Sequence, residues 1–327
     1  MTGATAQPVA FNPFEAGFAE SPYEQYARLR AEEPVHHSAL GPWFLFRHDD
    51  VREVIQNPAL SVDIANATPT ARLDMFEAVL GPEAMAARNE RGRHAILNID
   101  PPDHTRLRRL MSKAFTPRTV QDLRDRARRI VHEYLDLVDA EGEMDVIADL
   151  AFPLPVTVIS EMLGMPRGDR DSLRDWSHRL AGTLDPVLSP DEIRAAVEAS
   201  DQMTAYLRGV IADKRRSPGD DLLTGLIHAE DEGDVLSEAE LLDNVILLYI
   251  AGHETTVNLI GNGVMALLRH PDRLTELRDD PSLDVNAVEE LLRYDSPVQF
   301  TRRITLEPMT VDGHEIDAGS FVLTCLG

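Results

Sequence analysis

Cysteine is almost missing from this chain: one residue, Cys325, among 327. An intrachain disulfide, a CxxC redox pair and a cysteine-rich zinc site are therefore excluded, and a reducing, cytoplasmic setting is the simplest expectation. Positive charge is also scarce, with 32 Lys and Arg against 56 Asp and Glu, a formal net charge of −24. A surface this acidic repels phosphate backbones and anionic lipid, so neither nucleic acid nor a membrane is an expected partner. Residues 1–10 hold no Lys or Arg and no apolar block, so no secretion signal is expected. Long hydrophobic runs are lacking too. The stretch 147–165 is broken by Asp149, Pro153, Pro155 and Glu161, and 241–268 by Asp243, Asn244, His253 and Glu254, which a membrane span would not tolerate. No P-loop, dinucleotide glycine fingerprint or GxSxG elbow occurs.

What is present is a chain that is 43% hydrophobic, enough to bury a sizeable core. Residues 1–20 read as an extended arm without periodicity. From 21 to 327 the pattern predicts one domain, mainly α with small β elements. Ser21-Pro22 starts an amphipathic helix, Trp43-Phe44-Leu45-Phe46 reads as a strand, and Asp49-Asp50 begins the next helix. Between Ser61 and Asn98 the sequence suggests short helices joined by mobile loops. Helical periods then cover Asp103 to Ala114, Arg118 to Ala140, Val156 to Leu163, Asp169 to Thr183 and Asp191 to Lys214. They continue over Asp220 to Glu230, Ser237 to Arg269, Asp272 to Arg278 and Asn286 to Tyr294. Short strands follow at Arg303 to Leu306, Met309 to Ile316 and Ser320 to Leu326, around an Asp312-Gly313 turn.

The long helix after Ser237 is the most informative segment. Ser237 with Glu240 forms a capping box, and the helix is apolar nearly all round, as a buried central helix is. Its middle reads Ala251-Gly252-His253-Glu254-Thr255-Thr256. Two readings stay open on these residues. In one, His253 and Glu254 lie on a solvated sliver and the threonines bond back to the preceding turn. In the other, Ala251 and Gly252 open a local groove where Glu254 and Thr255 handle protons beside a ligand. A zinc-protease helix is a poor competitor, because position 257 is Val and no second His stands at helical spacing.

Two further groups stand out. In Asp100-Pro101-Pro102-Asp103-His104-Thr105-Arg106-Leu107-Arg108, His104 and Arg108 share a helix face at i, i+4 and could clamp an anion, or belong to a solvated basic face. Glu290 and Arg293 form an i, i+3 pair of a kind common on helices.

Taken together and in this order, the DPPxHxxxR helix entry, the AGxET helix centre and the later ExxR helix resemble the cytochrome P450 family, of the soluble bacterial type. The resemblance runs from about Pro22 to the last residue and implies a P450-like fold and a haem b cofactor. By position, His104, Arg108 and Arg303 correspond to residues bonding haem propionates, and Ala251 and Gly252 to the oxygen-binding groove. Glu254 and Thr255 correspond to the acid–alcohol pair relaying protons, and Glu290 with Arg293 to a structural ion pair. Leu97, Leu247 and Val298 fall where the family lines its substrate pocket. The implied activity is insertion of one oxygen atom of O2 into a small apolar organic substrate. Electrons would come from a ferredoxin and its NAD(P)H-dependent reductase, docking on a basic patch for which Arg106, Arg109 and Lys113 are candidates.

The family's ligand is a cysteine in a glycine-rich loop, and no such loop occurs here. Cys325 lies in an apolar run and is read as a core cysteine, not as the iron ligand, so no metal ligand is assigned. The 327 residues thus read as the N-terminal and central part of the fold. The alternative is a truncated, non-catalytic helical binding module without haem-thiolate chemistry.

Overall fold

Small polar residues and prolines set where most helices begin. In the computed structural model, which describes residues 10–18, 20–39, 41–69, 77–82, 85–86, 90, 92–139, 142–184 and 189–327, the elements run as follows. First come α1 (Tyr23–Glu32), β1 (Val35–His37), β2 (Trp43–Leu45), α2 (His48–Gln56) and β3 (Leu60–Ser61). The helical stretch follows with α3 (Asp103–Ala114), α4 (Pro117–Asp139), α5 (Pro153–Met162), α6 (Arg170–Ala181), α7 (Pro190–Arg216) and α8 (Leu222–Ile227). A hairpin of β4 (Glu230–Asp231) and β5 (Asp234–Val235) leads into α9 (Glu238–Arg269), α10 (Pro271–Asp279) and α11 (Asp284–Tyr294). The chain then forms β6 (Phe300–Thr305), β7 (Met309–Val311), β8 (His314–Ile316) and β9 (Phe321–Cys325). The mainly helical class with small β elements is as expected.

The chain divides into two compact units, Met1–Met75 with Val298–Gly327, and Phe76–Pro297. The first holds a five-stranded sheet in the order β1-β2-β9-β6-β3, with β2 and β9 parallel and the other pairs antiparallel. Distant segments are thereby joined within the unit, for Phe44 faces Leu323 and Ser61 faces Ile304. Its Asp312-Gly313 turn has positive φ at both residues and closes the β7–β8 hairpin, as the sequence predicted. Phe11 packs against Phe44 at 4.4 Å and Phe300 at 5.5 Å, so this part of the arm belongs to the aromatic cluster of that unit.

The second unit is helical around α9. Ser189 and Ser237 each make a full capping box, with Glu192 and Glu240, at the starts of α7 and α9. The core gathers Leu107, Leu110, Val156, Leu173, Met203, Leu207, Leu223, Val245 and Tyr249. Three local differences from the sequence reading appear. The helix expected over Asp220 to Glu230 stops at Ile227, and Glu232-Gly233, both at positive φ, turn the β4–β5 hairpin instead. A π-helical turn, Val146–Ala151, precedes α5, and Asp145 caps it by accepting from the N–H groups of Ile147 and Ala148. Finally, α9 is not buried all round, since Met265 and Leu268 are exposed in its second half. Of the stretch 61–98, Ile64–Asn66 and Ile96–Asn98 are 3-10 turns and 77–82 is helical, while 70–76, 83–84, 87–89 and 91 lie outside the described residues. Among the described residues no helix is long and apolar enough to cross a membrane.

Candidate active site

Two stripes with a four-residue repeat run along α9. Val245, Tyr249, His253 and Val257 are buried. Leu247, Ala251 and Thr255, two residues out of step, are not, and Ala251 is exposed. At 100° per residue an offset of two places the stripes on nearly opposite sides of the helix.

The buried side is fully bonded. Tyr249 Oη shares a 3.0 Å hydrogen bond with Ser160 Oγ on α5, and burial pushes the phenol well above its ordinary range. His253 is wholly buried, with Nδ1 2.9 Å from Ser177 Oγ on α6 and Nε2 3.1 Å from the Phe152 carbonyl. Burial lowers its pKa from 6.5 to about 4, slightly countered by the Phe152 bond, so the ring is neutral near pH 7. The solvated sliver imagined for His253 is therefore wrong, because a neutral ring with both nitrogens engaged is stable without water. Both engaged nitrogens also leave it unable to ligate a metal. Gly252 adds a steric reason for the small residue: a Cβ there would stand 2.8 Å from Ile159 Cδ1 of α5.

On the open side, Thr255 Oγ1 donates to the Ala251 carbonyl at 2.8 Å, the back-bond foreseen for these threonines. That bond uses the only hydroxyl hydrogen and leaves the oxygen's lone pairs to accept. Glu254 is half-buried and has no hydrogen-bond or ion-pair partner among the described residues. A carboxyl and a hydroxyl are thus adjacent in the middle of α9, beside the exposed Ala251.

The segment before α3 is tied to the start of α9. Asn244, buried, accepts from the Ile96 N–H at 2.9 Å and donates to the His94 carbonyl at 2.9 Å. Asp243 Oδ2 accepts from the His94 N–H at 3.0 Å. Leu97, 60% exposed, is held beside this half of α9, where Leu247 lies on the open stripe. In the sequence Asp243 and Asn244 argue only against a membrane span, although polar residues inside an apolar helix are the signal for this clamp.

On α3 the cations divide into two sets. Arg106 pairs with Glu240 and, at 3.3 Å, with Asp234. Arg109 and Lys113 both pair with Asp231, the lysine at 2.9 Å, and these bonds, with Lys113 first, hold that carboxyl below its usual range. The basic patch expected from Arg106, Arg109 and Lys113 is thus already matched by acids of the β4–β5 hairpin and α9. His104 and the Arg108 guanidinium have no partner among the described residues and line one open groove with Thr105, Ser112 and the acid-paired Arg109 and Lys113. An unpaired imidazole and guanidinium four residues apart suit the carboxylates of a ligand.

Glu290 and Arg293 form a bidentate pair, Nε to Oε2 and Nη2 to Oε1 both at 2.7 Å, on an exposed face of α11. The guanidinium's hydrogen bonds draw the Glu290 carboxyl below its usual range. Arg303, in the other unit, donates to the Arg302 carbonyl at 2.8 Å and the Ile55 carbonyl at 3.2 Å. Cys325 donates weakly to the Gly327 carbonyl at 3.6 Å, and burial raises its thiol to about 11, so it stays protonated near neutral pH. Among the described residues no group of three His, Cys, Asp or Glu could hold a metal ion.

A model of the cytochrome P450 family matches residues 78–282. Cytochrome P450 107B1 of Saccharopolyspora erythraea is 43% identical over 319 residues, which are 96% of this chain and 76% of that protein. Vitamin D(3) 25-hydroxylase of Pseudonocardia autotrophica is 42% identical over 95% of this chain and 73% of its own length. Among solved structures, P450BioI in complex with an acyl carrier protein ligated to hexadec-9Z-enoic acid superimposes with a TM-score of 0.83 at 34% identity, covering 96% of this chain and 78% of that one.

Proposed function

Since the chain belongs to the cytochrome P450 family of haem-dependent monooxygenases, we propose that it serves the insertion of one oxygen atom of O2 into a small apolar organic molecule, with Glu254 and Thr255 as the proton-handling pair. The observation that carries this reading is the Thr255-to-Ala251 bond on the open side of α9, beside a Glu254 that has no partner among the described residues.

Haem, when bound, supplies the iron at which dioxygen is activated. The chain's own contribution is positional and protonic. His104 and Arg108, left unpaired on α3, are assigned to the haem carboxylates, a role their donor chemistry fits. Arg303 is assigned there as well by family resemblance, and Ala251 with Gly252 to the oxygen-binding stretch. Thr255, its hydrogen fixed on the Ala251 carbonyl, offers lone pairs that hold a water, and Glu254 carries protons between that water and solvent. Glu290 with Arg293 is a structural pair without a chemical step. Cys325, a half-buried thiol with a raised pKa, is assigned no part in the reaction.

Leu97 and Leu247, one on the clamped segment and one on the open stripe, are proposed substrate-contacting residues, as is Val298. A ferredoxin with an NAD(P)H-dependent reductase, in the cytoplasm, is the proposed electron source. An acidic partner docking on α3 would have to compete with Asp231 and Asp234 for the same cations.

The test is the full-length protein reduced under carbon monoxide. A thiolate-type shifted absorption band supports the reading, and its absence ends it. Given that band, Thr255→Ala raises the peroxide released per dioxygen consumed; unchanged coupling removes Thr255 from the relay. Arg108→Ala paired with His104→Ala lowers haem retention on a desalting column, whereas unaltered retention removes them from the carboxylate site.

A further inference from the structure

We propose that His253 is a positioning residue for the Glu254–Thr255 pair: its imidazole, bonded on both edges, fixes the rotation of α9 about its own axis and so decides where Ala251 and Thr255 face. The proposal rests on the functional reading above only for the importance of that pair.

The proton assignment follows from the partners. A backbone carbonyl only accepts, so the nitrogen facing Phe152 must carry the hydrogen, and Nδ1 is left with a lone pair. Ser177 then donates its hydroxyl hydrogen to Nδ1 across 2.9 Å, in preference to the Arg174 carbonyl at 3.2 Å. Ser177 is itself fully buried. One ring therefore ties α9 to α6 and to the residue just before α5, through two directional bonds pointing opposite ways. The Phe152 ring, 4.8 Å away, packs on the imidazole and closes the site.

Geometry links this anchor to the pair. Ala251 lies two residues before His253 and Thr255 two after, so both project about 160° from the imidazole around the helix. Turning α9 enough to move that side would pull both ring nitrogens off their partners. A leucine would fill the same space but would set no angle; it would take the imidazole donor from the Phe152 carbonyl and turn the Ser177 hydroxyl back to the Arg174 carbonyl of its own helix, so that neither tie to α9 remains. Glutamine can keep a donor toward Phe152 and an acceptor toward Ser177.

The experiment uses the full-length haem-loaded protein as wild type, His253→Leu, His253→Gln, Ser177→Ala and Thr255→Ala. Two quantities are read, amide hydrogen exchange of 249–258 against 203–211 of α7, and the C–O stretching frequency with carbon monoxide as the probe. His253→Leu should speed exchange in 249–258 on the order of tenfold relative to 203–211 and move or broaden the C–O band. His253→Gln should restore both. Ser177→Ala should show the same changes in weaker form and decides the matter if His253→Leu does not fold. Thr255→Ala should move the band alone. Wild-type exchange in the His253 and Ser177 variants, acceleration shared equally with 203–211, or an unmoved band overturns the proposal. If the wild type forms no carbon monoxide band, the haem reading has failed, and the exchange comparison alone decides the role of His253.

Discussion

The two sides of α9 contrast within three turns of one helix. One side presents Tyr249, His253 and Val257, buried, with every polar atom of the tyrosine and histidine bonded to α5, α6 or the residue before α5. The other presents Ala251 and Thr255, with Glu254 at its margin, and offers a carboxyl without a partner among the described residues and a hydroxyl oxygen able to accept. The difference teaches a division of labour. Rigidity is concentrated where polar groups are saturated, and chemistry is available where they are not. Stability and function should therefore respond to opposite sets of substitutions.

The largest expected effect is on the buried side. His253→Leu takes the imidazole from the Phe152 carbonyl and sends the Ser177 hydroxyl back to the Arg174 carbonyl, and unfolding by urea should show a loss of about 3 kcal/mol. Acidity probes the same ring. Folded His253 binds its proton near pH 4 and the unfolded residue near 6.5, so between these values the unfolded chain holds the extra proton. Its contribution to stability is complete above 6.5 and declines as pH falls toward 4, by about 3 kcal/mol. His253→Leu should flatten that part of the stability–pH curve, and an unchanged slope would assign it to other groups.

Smaller effects sharpen the contrast. Gly252→Val pushes a side chain against the end of Ile159, which can swing aside, and should cost about 1 kcal/mol in the same urea titration. Thr255→Val on the open side removes only a hydroxyl bonded to its own helix, and its stability should stay within about 0.5 kcal/mol of wild type. A loss there as large as that of His253→Leu would erase the distinction between the sides.

How much of this was legible in the sequence depended on distance along the chain. Local signals worked: the Ser237–Glu240 capping box, the Asp312-Gly313 turn and the helix from Asp103 to Ala114 are all settled by near neighbours in the chain. The β4–β5 hairpin escaped because its strands are two residues each and their Asp and Glu extend a helical pattern equally well. The π-turn before α5 escaped because it depends on how Asp145 caps it, which hydrophobic period does not encode. The role of His253 could not be read at all, since its partners lie 76 and 101 residues away. The fate of the α3 cations was hidden likewise: spacing put Arg106, Arg109 and Lys113 near one another, but not that Asp231 and Asp234 would meet them.

The most direct test is the nitrogen-15 spectrum of the His253 imidazole, assigned by its disappearance in His253→Gln and followed from about pH 8 to about pH 5.5. The account predicts one neutral species throughout, with hydrogen on Nε2 and a bare Nδ1. A ring that titrates near 6.5, or one that carries its hydrogen on Nδ1, would contradict it.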